Sequence, residues 1–384
     1  MAIDELPPPS ADAQAASREL GARIAERVRA NGGWLPFVDF MDMALHLPGL
    51  GYYAGGSLKF GAAGDFVTAP ELTPLFGQAL ARQVAEVLGS VGGEVLEVGA
   101  GSGRLAADVL GELAALGALP ERYCILELSG ELRARQQQTI AECLPRLADR
   151  VVWLDALPER FSGCVIANEL LDALPTHAVA WRATGPMERG VELTATGFGW
   201  AERPAGAMLA QAMAALPVAP PYESEISLAA RAWVAEWGRR LERGVVLLID
   251  YGLPRHELYH PQRERGTLRC HYRQRSHDDP FWWPGLSDIT SHVDFTAVAD
   301  AGFDGGLDVL GYTNQASFLI NCGIGALLAA RAAAGGEQAV RANGAVQVLL
   351  SPAEMGELFK VIALGRGIAE PLCGFARGDR RHAL

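Results

Sequence analysis

The stretch EVLEVGAGSGR, Glu94 to Arg104, decides how the chain folds. Val95 to Val98 read as a strand. Gly99, Gly101 and Gly103 follow it directly, where a tight turn into a helix lets a ligand approach the backbone. A dinucleotide fingerprint requires a small residue three places after Gly101, so that helix and strand close around a pyrophosphate, but Arg104 stands there. Glu97, two residues before Gly99, sets a carboxylate near the loop, which suits a ligand ammonium better than a phosphate. That sign of charge favours S-adenosylmethionine, whose methionine half carries an ammonium, over a nicotinamide dinucleotide.

Working outward, short β-rich runs alternate with helical segments: Val95 to Val98, Tyr123 to Glu127, Val151 to Leu154, Cys164 to Ala167 and Val245 to Ile249. Such alternation implies a parallel sheet covered by helices on both faces, a doubly wound α/β fold. Before it, Leu20, Ile24 and Val28 mark an apolar helix face between Ala11 and Ala30, and a second helix is expected from Thr73 to Leu88. Between these helices, Gly49 to Gly77 is rich in glycine and aromatic residues, as long ordered loops that line sites often are. Residues 1–90 therefore read as an extension closing over the site, and residues 91–384 as the Rossmann-like domain. An insertion from Pro175 to Arg243 shows strand-like alternation around Val191 to Trp200 and a helix around Leu228 to Leu241. A helical insertion near Gln315 to Val346 precedes a last strand, Phe359 to Leu364.

A chain of 384 residues with 49% hydrophobic content buries a sizeable core. Its net charge of −12 argues against a surface that wraps duplex nucleic acid and fits a basic peptide better. The six cysteines form no C-x-x-C pair, and the N-terminus, with Asp4, Glu5 and Pro7 to Pro9, has no export-signal pattern. No apolar run reaches the length of a membrane span. A cytoplasmic protein is expected, with no resident metal.

Glu127 closes the second strand about 24 residues beyond Gly103, where the carboxyl edge of the sheet meets a ribose, so its carboxylate is expected to accept both ribose hydroxyls. Asp155 and Ala156, after the third strand, stand where an adenine amino group is read.

After the fourth strand comes ANELLDALP, Ala167 to Pro175. Together with GYY at Gly51, KFG at Lys59, GDFVTAPELTPLFG, LLIDYG, GTLRC, DITSHVDF and LFKVIAL, it resembles the MidA-type methyltransferases, a family that includes mitochondrial complex I assembly factor seven. The resemblance runs over nearly the whole chain. It implies a seven-strand class I methyltransferase core using S-adenosylmethionine, with methylation of an arginine in a protein substrate such as the quinone-proximal subunit of respiratory complex I.

A guanidinium is protonated and delocalised at neutral pH, so transfer to it calls for carboxylates that grip its planar fork. Glu169 and Asp172 lie three residues apart just past the fourth strand, on one face if the segment turns helically. The competing role for Asp172 is a helix cap. Asn168 is expected at the cofactor's methionine end. His292 is a candidate proton acceptor because its ordinary pKa lies near neutrality. Thr68, Pro70, Glu71 and Leu128 complete the candidate cofactor shell; Asp288 and Tyr251 are candidates for substrate binding.

Three rivals stand beside this reading. HELYH, His256 to His260, matches a zinc protease signature, but Pro254 and Pro261 bracket it and leave barely one helical turn. Arg263, Arg265, Arg269, Arg273 and Arg275 with Tyr272 form a basic, aromatic patch of the kind that binds RNA. The third is an assembly factor that binds the cofactor without catalysis.

Overall fold

The computed structural model describes residues 6–55, 68–333 and 335–384. They form two compact units. A core unit comprises Thr68–Leu170, Ala232–Gly252 and Phe295–Leu384; the other comprises the described residues of Met1–Val67, Leu171–Arg231 and Leu253–Asp294. The chain leaves and re-enters the core twice, so no single cut near residue 90 separates the two.

In the core unit, β1 (Glu94–Val98), β2 (Tyr123–Leu126), β3 (Val151–Leu154), β4 (Phe161–Asn168), β5 (Leu241–Leu253), β6 (Asp308–Asn314) and β7 (Phe359–Arg366) build one sheet in the order β3-β2-β1-β4-β5-β7-β6. Strands β1 to β5 run parallel, and β7 lies antiparallel between β5 and β6. The strands are apolar because both faces are covered: Val95, Leu96, Val245, Leu247, Val361 and Ala363 are all fully buried. Helices α1 (Ala69–Leu72) and α2 (Pro74–Val91) precede β1, while α3 (Arg104–Ala115) follows β1 and α4 (Gly130–Cys143) follows β2. Thr73 caps α2 by accepting from the Leu75 amide, Pro74 occupies its first position, and Gly92, at φ +67°, ends it. The expected helical insertion is three helices, Gln315–Asn321, Ile324–Ala333 and Glu337–Leu350.

The other unit holds the helices Ala11–Ala30 and Phe37–His46 and an antiparallel sheet. Leu35–Pro36, Gly185–Thr194, His177–Arg182 and Tyr222–Ile226 follow one another in that sheet, with Gly197–Pro204 paired on Gly185–Thr194. Leu20, Ile24 and Val28 are fully buried, as their spacing predicts. The alternation from Val191 to Trp200 proves to be a hairpin, with Val191 directly opposite Trp200. Its turn at Ala195 and Thr196 lacks the Asn-Gly or Asp-Gly signal that would have revealed it. A small sheet places Arg269–Tyr272 between Arg275–His277 and Asp288–Thr290. Among the described residues no single helix is long and apolar enough to cross a membrane.

Candidate functional site

Strand order reverses between β1 and β4, and in an open parallel sheet the crevice beyond the carboxyl ends at such a point is where ligands bind. Gly99, Gly101 and Gly103 leave β1 with φ of +72°, +51° and +83°. A Cβ on Gly99 would stand 3.2 Å from Leu170 Cδ1, and one on Gly103 3.0 Å from Gln136 Cα. The left-handed backbone disfavours a side chain at all three positions, and at Gly103 the Gln136 backbone crowds one as well. Ser102 Oγ donates to the Glu71 carboxylate, and Thr139 Oγ1 donates to the Ser102 carbonyl at 2.8 Å. Thr68 precedes α1 and Pro70 is buried within it. The KFG motif and the GDFV part of the motif preceding α1 lie outside the described residues.

Glu97 lies on β1, two residues before Gly99. It is 2% exposed, and its Oε2 accepts from the Tyr123 hydroxyl at 2.6 Å. Burial pushes its pKa from 4.5 up to about 7, against the opposing effect of the Tyr123 hydrogen bond. Among the described residues, Glu71 is the carboxylate that engages the glycine loop directly. A carboxyl raised on folding binds its proton more tightly in the native chain, so stability falls as pH rises from about 4.5 to about 7. Glu97→Gln keeps an acceptor for Tyr123 without the charge. It should gain about 1–3 kcal/mol over the wild type at pH 8 and almost nothing at pH 4.5, read by urea unfolding. Equal curves at pH 8 would mean that Glu97 carries no buried charge.

Glu127 lies just past β2, half-buried. Its Oε1 accepts from the Ser129 amide at 2.9 Å and its Oε2 from Gln136 Nε2 at 3.0 Å, while burial raises its pKa. Beside it, Leu128 is 84% exposed, a large apolar side chain held in water just past the carboxyl end of β2, which suits a flat base. Asp155 accepts from Arg133 Nη2 at 2.8 Å, and the same nitrogen donates to the Leu154 carbonyl at 2.8 Å. Ala156 follows in a bend.

At the end of β4, Asn168 Nδ2 donates to Glu169 Oε1 at 3.1 Å. Asn168 Oδ1 is buried with no hydrogen-bond partner among the described residues, an acceptor suited to a ligand ammonium. Glu169 has φ +53°, a left-handed conformation uncommon for a residue with a side chain. Its amide donates to the Ile249 carbonyl at 2.9 Å, and the Leu170 amide donates to Asp250 Oδ2 at 3.1 Å. Asp250, 1% exposed, also accepts from the Tyr251 amide at 2.8 Å. The segment after β4 is therefore a bend and a turn, so a shared helical face for Glu169 and Asp172 is not formed. Tyr251 packs on Phe359 with ring centroids 3.8 Å apart.

The other candidates belong to the second unit. Asp172 is 5% and Asp288 3% exposed. Asp288 Oδ1 accepts from Tyr53 of the GYY motif at 2.8 Å. Burial and then the nearby Asp288, Tyr52 and Asp172 raise the Tyr53 hydroxyl far above its ordinary pKa. The Ser291 amide donates to the Asp172 carbonyl at 3.0 Å, and the amide of half-buried His292 to Thr267 Oγ1 at 3.0 Å. In HELYH the helix covers only Arg255–Leu258, so His260 lies beyond it and does not share a helical face with His256. In the basic patch Tyr272 is 5% exposed and Arg269 is paired with Asp278, leaving that ring unsuited to base stacking.

Sequence reasoning missed Gln136, Trp153, Arg133 and Asp250. Only Gln136 left a trace, one turn before Ile140 on the buried face of α4.

Residues 79–313 match the model of a family described as S-adenosyl-L-methionine-dependent methyltransferases. A superfamily member from Burkholderia thailandensis, whose crystal structure carries S-adenosyl-homocysteine, is 51% identical over 99% of this chain and 100% of its own, with a TM-score of 0.96. Among curated proteins, the mitochondrial protein arginine methyltransferase NDUFAF7 of Mus musculus is 28% identical over 86% of this chain and 81% of its own. The Drosophila melanogaster homolog of NDUFAF7, also named mitochondrial, is 27% identical over 97% and 92%. Those names overturn the cytoplasmic expectation, which rested on a missing signal pattern, and a missing pattern carries no positive information about compartment.

Proposed function

The chain belongs to the S-adenosyl-L-methionine-dependent methyltransferases, and from that membership we propose that it methylates an arginine side chain in a protein. When bound, the cofactor supplies a methyl group on a positively charged sulfur. Glu127 and Leu128 would hold ribose and base, Asp155 and Ala156 the adenine edge, and Asn168 with Glu71 the methionine ammonium. The three glycines admit the ligand to the backbone.

One observation supports the acceptor above the others: Glu169 is kept in a left-handed conformation by backbone bonds at the carboxyl end of β4, beside Asn168. Strain of this kind persists where the surrounding structure fixes a functional group. A carboxylate there would grip a guanidinium and orient its nitrogen for in-line attack. Asp172 and Asp288 are assigned to acceptor recognition, His292 to the departing proton and Tyr251 to substrate contact. The names of the curated relatives agree with arginine as the acceptor. The finer proposal, a respiratory complex I subunit as substrate, rests on the motif resemblance.

Labelled cofactor incubated with purified protein and a cell lysate should place label in material destroyed by protease and spared by nuclease, with mass spectrometry finding it on arginine. Label on RNA, lysine or glutamine would remove the guanidinium and leave only the methyltransferase core.

A further inference from the structure

We propose that Gln136 is a positioning residue of the cofactor site, its amide locking the Glu127 carboxylate to the glycine loop so that the ribose hydroxyls meet an aligned acceptor. This rests on the assignment of Glu127 to the ribose. Gln136 is fully buried in α4. Its Nε2 donates to the Gly101 carbonyl at 3.1 Å and to Glu127 Oε2 at 3.0 Å, and its Oε1 accepts from Trp153 Nε1 at 3.0 Å. Those three bonds fix the amide in one orientation. Turned over, it would set its oxygen against a carbonyl and a carboxylate and its nitrogen against an indole N–H.

Each partner belongs to a different element of the cradle. Gly101 is in the loop after β1, Glu127 follows β2 and Trp153 is in β3. Gly103 lies so close over the Gln136 backbone that a Cβ would fall 3.0 Å from its Cα. Gln136 thus joins the loop that receives the cofactor to the acid that holds it. An apolar residue of similar length would fill the space and leave the Gly101 carbonyl and Glu127 Oε2 without this donor. A glutamate would keep the bond from Trp153 but set a second negative charge against Glu127.

The test is calorimetry on the purified full chain with two probes, S-adenosyl-homocysteine and its 2′,3′-dideoxy analogue, for the wild type, Gln136→Met, Gln136→Glu, Glu127→Gln and the Glu127→Gln, Gln136→Met double variant. The wild type should prefer the hydroxylated probe by about tenfold or more. Gln136→Met should lose most of that preference while binding the dideoxy probe within about threefold of the wild type. In the Glu127→Gln background, adding Gln136→Met should cost almost nothing further, since the two act as one unit. Gln136→Glu, close in size to the native side chain and so the safer variant for folding, should recover affinity as pH falls, when a proton shared by two facing carboxyls restores a donor. Equal losses on both probes, additive losses in the double variant, or a pH-independent Gln136→Glu would each overturn the positioning role. A wild type that does not distinguish the probes would instead overturn the ribose assignment of Glu127, and the proposal with it.

Discussion

Glu127→Ala should weaken S-adenosylmethionine binding by about a hundredfold or more while the protein remains folded. Hydrogen bonds from two hydroxyls to a carboxylate contribute roughly 1.5–3 kcal/mol each, and about 1.4 kcal/mol corresponds to a factor of ten. The alanine also leaves the Ser129 amide and Gln136 Nε2 without their acceptor, loosening the turn into α4. Glu127→Gln should cost less, because it keeps an oxygen for one hydroxyl. Calorimetry with circular dichroism on the same samples checks both variants. Unchanged affinity in the alanine variant, or binding of a nicotinamide dinucleotide in preference, would mean that the glycine loop serves another ligand.

Glu169→Gln should act on turnover and spare the cofactor. Glutamine has the same length, offers an oxygen to Asn168 Nδ2 and meets the same strain at φ +53°, so the bend after β4 should persist. The change removes the negative charge that would hold a guanidinium. Deleting one group aimed at the reacting centre costs on the order of 10²–10³ in kcat, so a loss of about a hundredfold or more is expected with cofactor affinity within about threefold. Single-turnover methylation of the identified acceptor measures the first quantity and calorimetry the second. Wild-type turnover in this variant would remove Glu169 from the chemistry and, with it, the main structural support for an arginine acceptor.

The sheet and its glycine turn were legible in the sequence because they are built locally. A strand, three glycines and a strand-end glutamate are separated by fixed short spacings, and the hydrophobic runs between them mark the sheet. What escaped depends on residues far apart in the chain. Gln136 sits among polar neighbours in α4, and nothing in its own segment announces that Gly101 and Trp153 surround it. Asp250 comes to the bend after β4 only because β5 lies beside β4. Glu97 was placed correctly along the strand, but its partner Tyr123 comes from the next one, and the burial that raises its pKa against that hydrogen bond is made by the assembled sheet. The helix proposed across Glu169 and Asp172 failed because spacing alone does not report a left-handed residue.

That each unit is made from three separated segments has a consequence for synthesis. The helices Ala11–Ala30 and Phe37–His46 leave the ribosome early, yet the strand Gly185–Thr194 that packs against both, and Ile289 from the small sheet, arrive far later. Until then Leu20, Ile24, Phe37 and Phe40 have no lasting cover, and such exposed apolar faces are where nascent chains aggregate or are held by chaperones. Closing contacts over such long sequence separations is also slow. The core sheet waits as well, since β7 is inserted between β5 and β6 only when residue 366 has been made. Neither unit can be obtained as one uninterrupted fragment, and shortening the chain from its C-terminal end removes the strand next to the edge before the edge strand itself.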